Sequence, residues 1–146
     1  MMVIGFTGTR GSMTIAQRDT LKSRIKQLAL RHPVIRCVHG GAVGADRQFD
    51  RLCKEFGFAR ECYPSNEEQR QWALQHCTVI HAVSPPLTRN RIIVEVSGQM
   101  FATPLTFIEE RRSGTWATIR YAKKTENTLT VIWPDGSVTC YHEIEP

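Results

Sequence analysis

The sequence predicts an α/β fold of the Rossmann type, a doubly wound and mostly parallel sheet with helices on both faces. Short apolar runs alternate with segments whose apolar residues recur at helical spacing through most of the 146 residues. The apolar runs are continuous, as expected of parallel strands that are covered on both faces. Near the C-terminus, two further strand-like runs flank Pro134-Asp135-Gly136, which predicts a β-hairpin at the edge of the sheet.

The first half of the chain predicts three strands, each followed by a helix. Thr14 stands three residues before Gln17, a capping-box pattern that marks the start of the first helix. Phe49 and Leu52 belong to the apolar stripe of the second helix, which Gly57 ends. In chain order, the elements are a strand at 3–6, a helix at 15–30, a strand at 34–38, a helix that ends at 57, a strand at 59–63 and a helix at 67–76.

The second half continues this alternation. A strand-like run at 78–83 is broken by Pro85-Pro86, and the apolar positions that follow have helical spacing. The remaining elements are a helix at 88–97, a strand at 99–103, a helix at 115–124 and hairpin strands at 128–133 and 137–141. Because the sequence has no internal repeat, low-complexity stretch or linker, we predict a single domain over residues 1–146.

The basic charge of the chain favours an anionic partner. The formal net charge is +5 and the isoelectric point is about 9.2. The placement of the arginines favours a compact phosphate site over an extended nucleic-acid-binding surface, because the arginines form no long run and many stand beside glycine-rich loops. A solvated basic surface would have the same composition. The arginines beside the loops are Arg10, Arg47, Arg89, Arg91, Arg111 and Arg112.

Composition also bears on location and on metals. No apolar run approaches the roughly 20 residues that a membrane span needs, and the N-terminus does not resemble a signal peptide. The five cysteines are odd in number and form no CxxC pair, and four lie in apolar segments, which favours reduced, buried thiols and a cytoplasmic location. The histidines lack metal-site spacing, so we expect no metal and no required cofactor.

Three glycine-rich loops have the composition of an anion site at the carboxyl ends of strands. Glycine lets backbone N–H groups approach an anion, and a following helix adds the positive end of its dipole. The first loop, GFTGTRGS, matches neither the dinucleotide fingerprint nor the P-loop; the second is HGGAVGAD, and the third, SGTW, stands at a helix start. The candidate ligand-binding residues are Gly8, Thr9, Arg10, Gly40, Gly41, Gly44, Asp46, Arg89, Arg91, Ser113, Gly114 and Thr115.

Some of these residues have structural alternatives. Asp46 is equally suited to cap the helix that follows it. Trp116 is suited to stack on a base, but a tryptophan in a small domain more often belongs to the core or to an interface. Arg89 and Arg91 are two residues apart and do not share a helix face, so we expect at most one of them to point into the site.

Four motifs occur in the order IGFTGTRGSMT, HGGAVGAD, PPLTRNRIIVE and RSGTWATIRYA. Together they resemble the SLOG superfamily, which joins the Rossmann domain of DNA-processing protein A, the Lonely Guy phosphoribohydrolases and nucleotide-binding domains of bacteria and phages. The resemblance extends from Val3 to Gly136 and looks closest to small stand-alone members. It implies a Rossmann-like fold, a nucleotide ligand and pairing into a homodimer, to which the Trp116 helix or the terminal hairpin would contribute.

The resemblance also implies what a catalytic member would need. Lonely Guy enzymes split the N-glycosidic bond of a nucleoside 5′-monophosphate, using an arginine and the glutamate of a PGGxGTxxE motif. Arg89 matches the arginine and is the candidate catalytic residue, but Thr118 stands at the glutamate position. A threonine cannot stabilise the charge or accept the proton in such a reaction. The carboxylates that would replace the glutamate are Glu109 and Glu110 in the longer loop after Pro104, with Glu95 and Asp46 as further candidates.

The sequence leaves three functions open. The first is a module that binds a nucleotide or a nucleotide-derived small molecule for sensing, sequestration or signalling. The second is a hydrolase of the base–ribose bond in nucleoside 5′-monophosphates. The third is a DNA-binding protein of the DNA-processing type, which the charge permits but for which an interleaved aromatic and basic stripe is missing. We rank the binding module first, the hydrolase second and the DNA-binding protein third.

Overall fold

The computed structural model describes residues 1–143, whose strands form one seven-stranded sheet. The strands are β1 (Met2–Gly8), β2 (Ile35–His39), β3 (Ala59–Cys62), β4 (Val79–Ile80), β5 (Gln99–Thr103), β6 (Leu129–Ile132) and β7 (Val138–Tyr141). The helices are α1 (Ile15–Arg31), α2 (Ala45–Glu55), α3 (Glu67–His76), α4 (Pro86–Val96) and α5 (Gly114–Lys124).

The strand order across the sheet is β4-β3-β2-β1-β5-β6-β7. Neighbours from β4 to β6 are parallel, and β7 pairs antiparallel with β6, with Ile132 opposite Val138. The predicted α/β sheet with a terminal hairpin at its edge is therefore confirmed. The order reverses at β1, which lies between β2 and β5, and such a switch point opens a crevice at the carboxyl ends of the strands.

Apolar side chains pack against both faces of the sheet. On one face, α1 and α2 cover β1, and Phe6 stacks on Phe49 with ring centroids 4.6 Å apart. On the other face, α4 and α5 pack on β5 and β6 through side chains that include Ile93 and Ile119. The prediction of helices on both faces is confirmed, because strands that are apolar on both sides need two covering layers.

The helix ends follow the local sequence. The Thr14 hydroxyl accepts the Gln17 N–H, and the Gln17 side chain accepts the Thr14 N–H, each over 3.0 Å, so the predicted capping box is confirmed. Gly57 follows the end of α2 with a φ of +78°, the left-handed conformation that commonly ends a helix.

Most element boundaries differ from the prediction by one or two residues, and the differences at β4 and α4 have a physical explanation. β4 consists of Val79 and Ile80 instead of the run 78–83, because it lies at the sheet edge and pairs with β3 alone. α4 begins at Pro86, earlier than the predicted start at 88. Proline is well accepted in the first helical turn, where its missing N–H would have no helical partner.

All five cysteines are free thiols. Cys37, Cys53 and Cys62 are buried, whereas Cys77 and Cys140 are half-buried, so the expectation of buried thiols is correct for three of them. Within residues 1–143, none of the helices combines the length and the apolar character that a membrane crossing requires.

Candidate functional site

A cavity of about 750 Å³ lies at the carboxyl edge of the sheet, where the strand order reverses. Its floor includes Phe6, Thr7 and Gly8 at the end of β1. Its walls come from the loop after β2, the first turns of α2 and α3, the buried side of α4 and the segment that leads into α5. The parallel strands all end here, so the loops that follow them converge on one space.

The first turn of α5 offers unused backbone donors to this cavity. The Ser113 hydroxyl caps the helix by accepting the Trp116 N–H over 3.3 Å. The N–H groups of Gly114 and Thr115 lie ahead of the first helical hydrogen bond and donate to no residue in the described part of the chain. Ser113, Gly114 and Thr115 all line the cavity, so the positive end of the helix dipole faces it.

Arg89 on α4 is the buried cation of the site, with a relative exposure of 7%. Its Nη1 donates to the carbonyl oxygens of Gly40 (2.8 Å) and Tyr63 (2.9 Å) and to Oε1 of Gln69 (3.2 Å), and its Nε donates to Oδ1 of Asn90 (2.8 Å). The Nη2 group donates to none of the described residues and is not sealed from solvent. Burial lowers the pKa of Arg89, and the negative charge of Asp46 opposes this decrease.

Asp46 is the buried carboxylate of the site. It lies in the first turn of α2, and its Oδ2 accepts the N–H of Ala42 over 3.1 Å. The carboxylate therefore fixes the loop before the helix, while Gly44 occupies the N-cap position without a side-chain hydrogen bond. Burial raises the pKa of Asp46, and the charges of His39 and Arg89 oppose this rise. Asp46 also lines the cavity, so the structural and the ligand-facing interpretations of this residue are compatible.

The loops before α5 and after β1 add exposed cations. Arg10 and Arg112 both line the cavity. Neither forms an ion pair with a carboxylate among residues 1–143. The cavity also contains the exposed carboxylates of Glu68 and Glu110. Glu68 is paired with Arg47, whose Nη2 lies 2.7 Å from its Oε1.

Most of the residues that the sequence singled out converge on this cavity. Those that line it are Gly8, Thr9, Arg10, Gly40, Asp46, Arg89, Glu110, Ser113, Gly114 and Thr115. Among the candidate ligand-binding residues and the two loop glutamates, four do not line it: Gly41, Gly44, Arg91 and Glu109. Glu95, the further candidate carboxylate, also lies outside it and accepts the Tyr121 hydroxyl.

The four exceptions have physical explanations. Gly44 shapes the loop, since its φ is +101° and a Cβ there would lie 2.0 Å from the Arg10 carbonyl oxygen; Gly41 likewise has a positive φ. Arg91 points along the opposite side of α4 and lies over the Tyr121 ring, as expected for a residue two positions from Arg89. Glu109 pairs with Arg120 at 3.3 Å on the surface.

Two residues of the site escaped the sequence analysis. Gln69 on α3 accepts from Arg89 and from the Ser65 N–H (2.7 Å) through the same Oε1 atom. Asn90 accepts from Arg89 Nε and lines the cavity beside Gly114. No local sequence motif identifies either residue. The partner of Gln69 lies on another helix, and the role of Asn90 depends on the direction of its side chain.

A buried polar cluster lies at the end of β2, where His39, Asp50 and Cys77 bring ligand atoms within 4.8 Å of one another. His39 Nδ1 accepts the Gly41 N–H over 3.0 Å, so the hydrogen of the neutral ring is on Nε2, which meets Asp50 Oδ1 at 2.9 Å. A metal ion would need that Nε2 as a lone-pair donor, and Arg60 Nε lies 3.3 Å from the same carboxylate. This arrangement is better suited to joining β2 and α2 than to holding a cation.

The charge of His39 depends on the same contacts. Burial lowers the pKa of His39, but Asp50 and Cys77 outweigh it and raise the pKa to about 9. The Gly41 hydrogen bond opposes this rise, because a protonated Nδ1 has no lone pair to accept it. Protonation of the ring and the contact with Gly41 therefore exclude each other.

Comparison with known proteins supports the fold. No family model matches the sequence, and no curated protein matches it. The solved structure of DNA processing protein A (DprA) from Streptococcus pneumoniae is similar with a TM-score of 0.66 and 15% identity, over 90% of this chain and 50% of that chain. The structural-genomics target TM1055 is similar with a TM-score of 0.63 and 14% identity, over 88% of this chain and 72% of that chain.

The chain shares with these two structures a Rossmann-like α/β fold, a mostly parallel sheet with helices on both faces. This chain spans half the length of the DprA structure that it matches. At these identities the likeness concerns the fold alone, and the chemistry of the cavity depends on this chain's own residues.

Thr118 stands where the resemblance to the Lonely Guy motif would place a glutamate. It lines the cavity but is 3% exposed. Its hydroxyl donates to the Gly114 carbonyl over 2.9 Å, one turn earlier in α5. A threonine that is bonded to its own helix supplies neither a carboxylate nor a proton acceptor to a ligand.

Proposed function

We propose that the cavity binds a nucleotide or a nucleotide-derived small molecule, with a phosphate at the first turn of α5. The observation that carries the proposal is Arg89, a buried guanidinium whose Nη1 and Nε are bonded to protein acceptors while Nη2 has none among residues 1–143. Nη2 is open to solvent on a guanidinium that its other nitrogens hold in place, so it is free to donate to an anionic or acceptor-rich ligand.

The phosphate end of the proposed ligand is supported by two sources of positive charge. The N–H groups of Gly114 and Thr115 are unused, and the α5 dipole adds roughly half an elementary charge at this end. Arg10 and Arg112 line the same space on exposed loops. A phosphate group provides acceptors for both kinds of donor.

The nucleoside end is supported by size and by polarity. Ligand pockets commonly measure about 300–1,000 Å³, and this cavity of about 750 Å³ lies within that range. Ala42 and Val43 offer an apolar surface for a base or a sugar. Asp46 offers a carboxylate oxygen to ribose hydroxyls or to an amino group of a base.

Isothermal titration with nucleoside 5′-monophosphates, inorganic phosphate and the unphosphorylated nucleosides tests the proposal. Arg112→Gln and Arg10→Gln remove exposed cavity cations with little risk to the fold, and each is expected to weaken monophosphate binding about tenfold. Arg18→Gln is the matched control, because Arg18 is exposed on α1 and does not line the cavity. Absence of binding by every monophosphate, or equal effects of all three variants, would contradict the proposal.

A second candidate function is hydrolysis of the base–ribose bond, and Asp46 is the observation that favours it. Its pKa is raised by burial, and a carboxylate with a raised pKa is suited to proton transfer near neutral pH. Glu110 also lines the cavity but is exposed, and Glu109 is outside it. Chromatography for free base after incubation with each monophosphate separates the two functions.

Catalysis predicts base release that Asp46→Asn abolishes while the substrate still binds. Pure binding predicts no free base from the unmodified protein. A single-stranded oligonucleotide completes the set of ligands, since affinity that falls steeply with salt would favour a DNA-binding role instead.

A further inference from the structure

A second, smaller cavity of about 270 Å³ lies between α4 and α5. Asn90 and Thr118 line both this cavity and the larger one. The smaller cavity is below the usual size of an independent ligand pocket, about 300–1,000 Å³. Its shared walls therefore indicate an extension of the nucleotide site beyond the first turn of α5.

Among residues 1–143, the second cavity is lined by three cations and by no carboxylate. Arg91, Arg120 and Lys124 contribute the charges. Arg120 is engaged by the surface carboxylate of Glu109, whereas Arg91 and Lys124 form no ion pair with any described residue. Two cations thus remain available to an anion that enters this space.

Arg91 is held in place although it has no ion pair. Its guanidinium carbon lies 5.2 Å from the centre of the Tyr121 ring, a cation–π contact. The Tyr121 hydroxyl donates in turn to Glu95 Oε1 over 2.6 Å, which fixes the ring. The guanidinium is therefore oriented before any ligand arrives, and less conformational entropy is lost on binding.

Asn90 stands at the boundary between the two cavities. Its Oδ1 accepts from Arg89 Nε, so its orientation is set and the Nδ2 group is the end left for another partner. Nδ2 lies 4.0 Å from the position that a Cβ on Gly114 would occupy, beside the free N–H groups of α5. An anion at the first turn of α5 would thus have an amide donor on the side that leads into the second cavity.

We propose that the natural ligand carries a pyrophosphate, as in a nucleoside 5′-diphosphate or its pyrophosphate-linked derivatives. The first phosphate lies at the first turn of α5, and the second passes Asn90 to reach Arg91 and Lys124. This inference rests on the proposed function, because it extends the same nucleotide site. In this arrangement Arg91 contacts the ligand, although it does not line the larger cavity.

Isothermal titration of AMP and ADP in buffer with a chelator tests the inference, because the two ligands differ by one phosphate. ADP is expected to bind at least tenfold more tightly than AMP, as one additional charge-assisted contact implies. Arg91→Gln and Lys124→Gln, separately and together, are expected to remove that difference and to leave AMP binding unchanged. Lys22→Gln, on the exposed side of α1, is the matched control.

The outcomes separate this inference from the proposed function. Equal affinities for AMP and ADP, or a parallel loss of both in Arg91→Gln, overturn the pyrophosphate inference and leave nucleotide binding intact. If no nucleoside 5′-monophosphate and no nucleoside 5′-diphosphate binds, the proposed function fails and the inference fails with it. Tight, salt-sensitive binding of an oligothymidylate without binding of ADP also overturns the inference, in favour of a nucleic-acid strand.

Discussion

The Arg89 guanidinium lies directly against the backbone of Gly40. Nη1 donates to the Gly40 carbonyl over 2.8 Å, and a Cβ at position 40 would lie 2.2 Å from the same nitrogen. This glycine is therefore required by the side chain of a residue 49 positions later in the chain. The contact joins the loop after β2 to α4 and holds the buried cation at the wall of the cavity.

The first prediction concerns this contact. Gly40→Ala is expected to displace Arg89, to lower the free energy of unfolding by about 2–3 kcal/mol and to abolish nucleotide binding, because the buried hydrogen bonds of Arg89 are lost. Urea denaturation and titration calorimetry measure the two effects. Gly11→Ala is the control, since its nearest neighbouring atom would be 3.8 Å away. A Gly40→Ala protein that folds and binds normally would show that Arg89 does not depend on the space at position 40.

The second prediction concerns Gln17, which is 1% exposed. Its Nε2 donates to the carbonyl oxygens of Pro104 (2.9 Å) and Ile132 (3.0 Å), so it ties α1 to the loop after β5 and to the end of β6. Gln17→Leu leaves these buried acceptors without donors and is expected to cost about 2–4 kcal/mol in urea denaturation. Gln27→Leu, an exposed position on the same helix, is expected to change stability by less than about 0.5 kcal/mol. A similar effect of the two substitutions would contradict the role assigned to Gln17.

The third prediction concerns pH and Asp50. Burial opposes ionisation of Asp50, but His39 and Arg60 outweigh it and hold the pKa below its usual value of 3.8. A lowered pKa in the folded state stabilises the protein above about pH 4, and that contribution is lost as the pH falls through the folded value. The stability difference between the unmodified protein and Asp50→Asn is therefore expected to be about 2 kcal/mol at pH 7 and to shrink between about pH 5 and pH 2.

Urea midpoints at several pH values measure this difference. Asp19→Asn, which changes an exposed carboxylate on α1, provides the comparison and is expected to differ little from the unmodified protein at any pH. A stability difference between the unmodified protein and the Asp50→Asn variant that stays constant down to about pH 2 would contradict the prediction.

The fourth prediction concerns Thr118. Because its hydroxyl is bonded to the Gly114 carbonyl, Thr118→Val is expected to keep nucleotide affinity within about threefold and stability within about 1 kcal/mol. Calorimetry with AMP checks the first value and urea denaturation the second. A tenfold or greater loss of AMP affinity would indicate that the hydroxyl turns from its helix to the ligand.

The fold was predictable because its signals are local. The capping box at Thr14, the glycine after α2 and the turn at Pro134-Asp135-Gly136 each depend on a few neighbouring residues. The sequence pattern overestimates the length of β4, because β4 is an edge strand and its length depends on how much of β3 lies opposite it. The sequence pattern misplaces the start of α4, because a proline that interrupts an apolar run is also well suited to the first turn of a helix.

The site was only partly predictable from the same signals. Glycine-rich composition marked the loops, but it did not separate Gly40, which makes room for a side chain, from Gly44, which serves a backbone turn. By their charge, Arg89 and Arg91 are equal candidates for ligand binding. In the structure their side chains point in different directions, so that they line different cavities. Gln69 carried no signal, since its partner Arg89 lies on another helix.

The sequence by itself determined the alternation of strands and helices, the helix caps and the absence of a glutamate at position 118, because these depend on residue type and short-range spacing. Only the tertiary structure decided which polar groups meet. Arg89, Asp46 and Asn90 come from two helices that the chain joins through distant strands, and the order of the strands brings them to one edge. Burial then removes competing water and raises the strength of their interactions, an effect that no local pattern of residues encodes.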